Sequence, residues 1–182
     1  MRRHLFLFLS LVFASSCVFA YGSVRSPYVT KDELSFELES KRSSDHRKEL
    51  NNIQSHSAEI GYGISDHLKL EIEGEFERQS GDSLFFSGSA IAARYAFARP
   101  GDHGIDSALY AAYGWTEDKH DPQVATLGLL AQKQWGGIIH RANIFIDREA
   151  GANRQGGVEI ETRYLTLYDY DKRLRPGIEW QA

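Results

Sequence analysis

Cysteine is almost missing from this chain: Cys17 is the single one in 182 residues. It lies in an apolar N-terminal stretch. If that stretch is cleaved, no disulfide framework, thiol nucleophile or cysteine-based metal site remains. Helical periodicity is missing as well, because apolar residues do not recur at the spacing of an amphipathic helix. Mean hydropathy is below zero. No segment after the N-terminus has the roughly 18 continuous apolar residues of a membrane helix. There is no Gly-x-Ser-x-Gly elbow and no phosphate-binding loop. Basic residues are not in excess. Taking Arg2 and Arg3 away from the 21 leaves 19 basic side chains against 25 acidic ones. A mildly acidic chain argues against nucleic acid as a partner.

The first residues carry an export pattern. Arg2, Arg3 and His4 make a basic start, Leu5 to Phe13 are apolar apart from Ser10, and Val18-Phe19-Ala20 fits a small-x-small cleavage site. Residues 1–20 are thus expected to be a signal peptide, with a single domain over 21–182. A lipoprotein signal would set Cys17 behind a Leu-rich motif; Ala14-Ser15-Ser16 matches this poorly.

From Leu34 to Trp180 apolar and polar residues alternate in about nine short stretches, with Gly, Pro, Asp and Asn gathered between them. A period of two puts alternate residues on opposite faces of a strand. The clearest stretch is Leu68 to Glu77, with Leu68, Leu70, Ile72 and Phe76 on one face and Glu71, Glu73, Glu75 and Glu77 on the other. The pattern predicts strands over Glu33–Ser40, Gln54–Ile64, Leu68–Arg78, Leu84–Phe97, Ile105–Thr116, Val124–Trp135, Ile138–Arg148, Gly157–Tyr168 and Gly177–Gln181. Ser65-Asp66-His67, Arg99-Pro100-Gly101-Asp102 and Gly136-Gly137 are the sharpest turn signals. Tyr21 to Thr30 reads as a lead-in in which Pro27 limits regular pairing.

Strands of this kind behind an export signal predict an all-β fold: an antiparallel up-and-down transmembrane β-barrel with about 8–10 strands visible, whole or lacking its closing strands. The location expected is the cell outer membrane. Tyr62, Tyr95, Phe97, Tyr113, Trp115, Trp135, Tyr164, Tyr168 and Trp180 fall near strand ends, where an interfacial girdle would lie. With the N-terminus in the periplasm, the long first and seventh loops face outside, and the very short second and sixth turns face the periplasm. The fourth and eighth connections blur that asymmetry. In such a barrel Glu59, Glu71, Glu73, Glu75, Arg94, Arg141, Asp147, Glu159, Glu161 and Arg163 face the interior. Like charges along the Glu71 row require basic partners, expected from Arg94, Arg141 or Arg163.

Single-chain barrels normally have an even strand number, so nine strands leave three explanations open. The closing strands are missing, the count is off by one, or two chains share one barrel. The runs Ala58-Glu59-Ile60-Gly61-Tyr62-Gly63-Ile64-Ser65-Asp66, Leu68 to Phe76 and Pro176-Gly177-Ile178-Glu179-Trp180 resemble hairpins of proteobacterial outer-membrane barrels of the transporter and copper-resistance-like group. That resemblance implies fold and location. It implies no substrate and no catalytic residue.

The expected role is a passive pore, or a transport-associated or structural membrane protein with a charged interior. Its partners would be outer-membrane lipid, the barrel-assembly machinery, and small solutes or cations. No enzyme activity, cofactor or metal is expected. His46, His56, His103, His120 and His140 are scattered, and a copper or zinc site from His56, Asp66 and His67 would need ligands at opposite ends of one strand. Two alternatives stay open. One is a soluble periplasmic or lipoprotein barrel with its apolar face lining a ligand cavity. The other is a truncated remnant of a longer barrel.

Overall fold

The computed structural model describes residues 24–47, 51–98, 101, 104–118, 120–154, 156–169 and 175–182. The expected signal peptide, Cys17 and His103 lie outside the described residues, as does most of the Arg99-to-Asp102 turn.

Nine strands follow one another: β1 (Leu34–Arg42), β2 (Gln54–Gly63), β3 (Leu68–Arg78), β4 (Phe85–Ala96), β5 (Asp106–Thr116), β6 (Gln123–Trp135), β7 (Ile138–Ala150), β8 (Val158–Tyr168) and β9 (Gly177–Gln181). Each pairs antiparallel with the next, in the order β1-β2-β3-β4-β5-β6-β7-β8-β9. The result is a curled, half-barrel sheet. β1 and β9 are its two edges, and no ladder joins them among the described residues.

Local chemistry sets the hairpins. Between β6 and β7, Trp135 sits opposite Ile138, and Gly136 takes a φ of 55°, which a side chain would resist. Between β2 and β3 the Ser65 hydroxyl accepts from the backbone N–H groups of His67 and Leu68, at 3.2 and 3.0 Å. That serine closes the turn with its own side chain.

In β4 one residue is extra. Glu75 opposes Gly88 and Phe76 opposes Phe86, so the register shifts and Ser87 forms a bulge. The bulge keeps Phe76 and Phe86 edge-to-face at 5.5 Å.

The register lines up one residue type per row. Leu34, Tyr62, Leu70, Ala93, Ala111, Leu127, Ile146 and Ile160 form an unbroken apolar row from β1 to β8. This row lies on the outer face: Leu34 is 73% exposed and Ile160 65%. The inner face is the covered one. It holds an apolar cluster of Val29, Ala96, Ala108, Tyr110, Leu130 and Phe145, beside buried Glu59, Glu71, Arg94, Asn143, Asp147 and Arg163.

The lead-in is more than a linker. Residues 24–30 fold back onto the inner face as a strap, with Val24, Pro27 and Val29 buried. A tight turn returns the chain to β1. The Glu33 N–H reaches the Thr30 carbonyl (3.3 Å), the Asp32 N–H reaches the Gly63 carbonyl (2.8 Å), and Asp32 adopts a φ of 61°. Aspartate is among the few non-glycine residues that tolerate this region. Gly63 is required here, since a Cβ at that position would lie 1.9 Å from the Thr30 carbonyl oxygen.

Candidate functional site

Alternate residues of β3 carry the centre of the inner face: Lys69, Glu71, Glu73, Glu75 and Glu77. In register, Glu59 of β2 stands opposite Glu73. Two carboxylates facing each other across a ladder repel, so the sheet needs a cation between them.

That cation is Arg25 of the strap. Its guanidinium lies 2.7 Å from Glu59, 3.7 Å from Glu71 and 3.6 Å from Glu73. It also sits 4.9 Å above the Tyr110 ring, within cation–π range.

Glu71 is the most enclosed of these acids, at 2% exposure. Its Oε1 accepts from Arg94 at 2.6 Å and meets Lys69 at 2.9 Å. Its Oε2 has no hydrogen-bond partner among the described residues.

The strap backbone is gripped as well. Asn143, 1% exposed, accepts the Arg25 N–H (2.7 Å) and donates to the Arg25 carbonyl (3.0 Å). This two-way amide clasp fixes an extended residue much as a neighbouring strand would. Arg94 donates to the Ser26 carbonyl at 2.8 Å, and the Tyr28 hydroxyl donates to Asp106 at 2.8 Å.

Of the expected basic partners, only Arg94 reaches the β3 row among the contacts described. Arg141 bonds to Gln132 of β6. Arg163 pairs with Glu161 at 2.6 Å and stacks over Phe145 at 4.8 Å. Asp147 accepts from the Thr126 hydroxyl. Glu159 lies in β8 beside the sheet edge and is exposed. Thus Glu59, Glu71, Glu73 and Arg94 form one cluster, Glu161 and Arg163 a second, and Arg141 a third position. The sequence pattern identified the acids and missed Arg25, Asn143 and Asp106, which hold the strap. A signal was present: Val24, Pro27 and Val29 are apolar residues in a segment with no assigned strand to bury them.

Beside the strap lies a cavity of about 150 Å³, where Glu73, Glu75, Glu77 and Asp147 meet Arg25 and Arg163. It is small beside the several hundred Å³ typical of organic ligand pockets. Its chemistry is that of fixed, mostly negative charge in a confined polar space.

No group of three His, Cys, Asp or Glu side chains suited to a metal exists among the described residues. The histidines are separately engaged: His56 with Ser40 (2.9 Å), His67 with the Ala96 carbonyl (2.9 Å), His120 with Asp118 (2.9 Å) and His140 with Tyr164 (2.7 Å). In the loop after β5, the backbone N–H and imidazole of His120 hold the Asp118 carboxyl below the usual carboxylate range.

Comparison with protein-family models, with curated proteins and with solved structures finds no match to this chain.

Proposed function

We propose that the curled sheet is the described part of a transmembrane β-barrel of the bacterial outer membrane, serving as a passive, transport-associated or structural barrel with an acidic interior. The inversion of its faces carries this reading. Phe36, Ile60, Ile72 and Ile91 lie side by side across four strands and are each more than half exposed. Across the sheet from them Glu59 and Glu71 are buried. A water-soluble antiparallel sheet packs its apolar face inward and shows its charges to solvent. A membrane barrel does the reverse, because lipid replaces water outside and polar groups gather within. An apolar-ligand carrier would need the opposite orientation of faces. Closure of the sheet into a ring is part of the proposal, because an open edge leaves backbone N–H and C=O groups unpaired in lipid. If the lumen conducts, its surplus of carboxylates favours cations.

The test is expression of the full chain in a Gram-negative host, followed by fractionation and by gel electrophoresis with and without boiling. Recovery in the outer membrane, detergent-dependent extraction and a heat-dependent mobility shift are the expected outcome. Recovery as a soluble periplasmic protein overturns the reading.

A further inference from the structure

The strap of residues 24–30 meets the inner face with more polar specificity than a covalent lead-in requires. A tether needs only to reach β1. This one places a guanidinium among three carboxylates, threads its backbone through the Asn143 amide clasp and Arg94, and buries Val24, Pro27 and Val29. Among the described residues it is joined to the sheet by a single turn at Thr30–Glu33.

We propose that residues 24–30 are a built-in plug of the interior: Arg25 acts as a tethered counter-ion that occupies the Glu59–Glu71–Glu73 site, and release of the strap opens that site to mobile cations. The proposal rests on the barrel reading for its conductance, though not for the docking of the strap. Three features distinguish this plug from plain core packing. The carboxylates belong to the wall, so removing the strap leaves an intact acidic surface. The backbone grip comes from side chains of β4 and β7, not from a strand ladder, so the strap can leave without unzipping any sheet pairing. The acidic cavity already lies against Arg25, so departure of the strap enlarges a space that exists. The solute class admitted is cationic, because the groups uncovered are carboxylates and a mobile cation would replace the guanidinium charge for charge.

The experiment uses the full chain with Cys17→Ser, so that a cysteine placed at Val29 is the sole thiol. Val29 is 4% exposed, and Val29→Cys is probed with a small cationic thiol reagent. With the strap docked, the thiol reacts slowly. Arg25→Gln should raise the rate about ten- to hundred-fold, the loss expected for hydrogen bonds to charged groups. The same variant, reconstituted in planar lipid bilayers, should pass more potassium current than the parent, with cations favoured over chloride. Tyr28→Phe removes the Asp106 bond and leaves the Arg25 cluster untouched; it should give a smaller shift in the same direction and serves if Arg25→Gln does not fold.

A thiol at Val29 that reacts as fast as a free one in the parent overturns the plug. So does a reaction rate or a current unchanged in both variants. Failure of the barrel reading looks different: the protein does not enter bilayers and shows no heat-dependent shift, while protection of the Val29→Cys thiol still reports on the strap.

Discussion

Replacing Ile72 with arginine separates a membrane-facing sheet from a soluble one by magnitude. Ile72 is 65% exposed and lies on the outer face, between Ile60 and Ile91 in register. It is four residues from one end of β3 and six from the other. At about 3.3 Å per residue, that puts it close to the middle of an apolar band about 25 Å tall. In lipid, an arginine near mid-depth on the outer face of a barrel costs about 2–4 kcal/mol. In water, the same change loses only the buried third of an isoleucine side chain, about 0.5–1 kcal/mol, and surface substitutions usually stay within about 0.5 kcal/mol. The two environments therefore differ by several-fold. The assay is reversible denaturant unfolding in lipid vesicles, followed by fluorescence of the three tryptophans. The Ile72→Arg midpoint should fall at unchanged slope, while an exposed loop change, Asp82→Arg, should leave it in place. A cost below about 1 kcal/mol for Ile72→Arg would refute the lipid-facing assignment of the outer face.

Other consequences follow from the inner face. Asn143→Ala removes two neutral hydrogen bonds to the strap, worth about 1 kcal/mol each; hydrogen exchange at the Arg25 amide should speed up by about thirty-fold, and no change would mean that the clasp holds nothing. Arg94→Met leaves the buried Glu71 carboxylate with Lys69 at 2.9 Å and should destabilise the fold by about 1.5–3 kcal/mol, the worth of a hydrogen bond to a charged group, and a double-mutant cycle of unfolding free energies with Glu71→Gln should show the two positions coupled. Gly63→Ala should displace the Thr30 turn, because its Cβ would meet a backbone oxygen at 1.9 Å. Protection of a Val29→Cys thiol should then vanish while the sheet retains its β circular dichroism signal; a thiol that stays protected would show that the turn gives way elsewhere.

Strands were the most legible part of the molecule. The expected Leu68–Arg78 and Gly177–Gln181 coincide with β3 and β9, and the other seven differ from the observed bounds by one or two residues at an end. Alternation survives in the sequence because each residue of a strand sees one environment only. The Ser87 bulge was not legible as such. It breaks the period of two in β4, and the run of Ser and Gly there hid the phase until Gly88 was seen opposite Glu75. The burial of the strap is not legible for a related reason: a segment without regular pairing, as expected for this lead-in, leaves no period to read, and Pro27, which disfavours a strand, gives no sign that the segment is buried.

The sequence alone determined that the chain is all-β, where its strands lie and which side chains share a face, since these follow from local alternation and turn chemistry. It also determined that one face is apolar and the other mostly acidic. Only the tertiary structure decided which face is covered and who neutralises the acids. Ion pairing depends on distances across the sheet, and no spacing along the chain places Arg25 beside Glu59, 34 residues away, or beside Asn143, 118 residues away. The curl of the sheet brings those partners together. The acidic face could therefore be read from the pattern of strands, while its burial and the segment that occupies it could be found only once that pattern had folded.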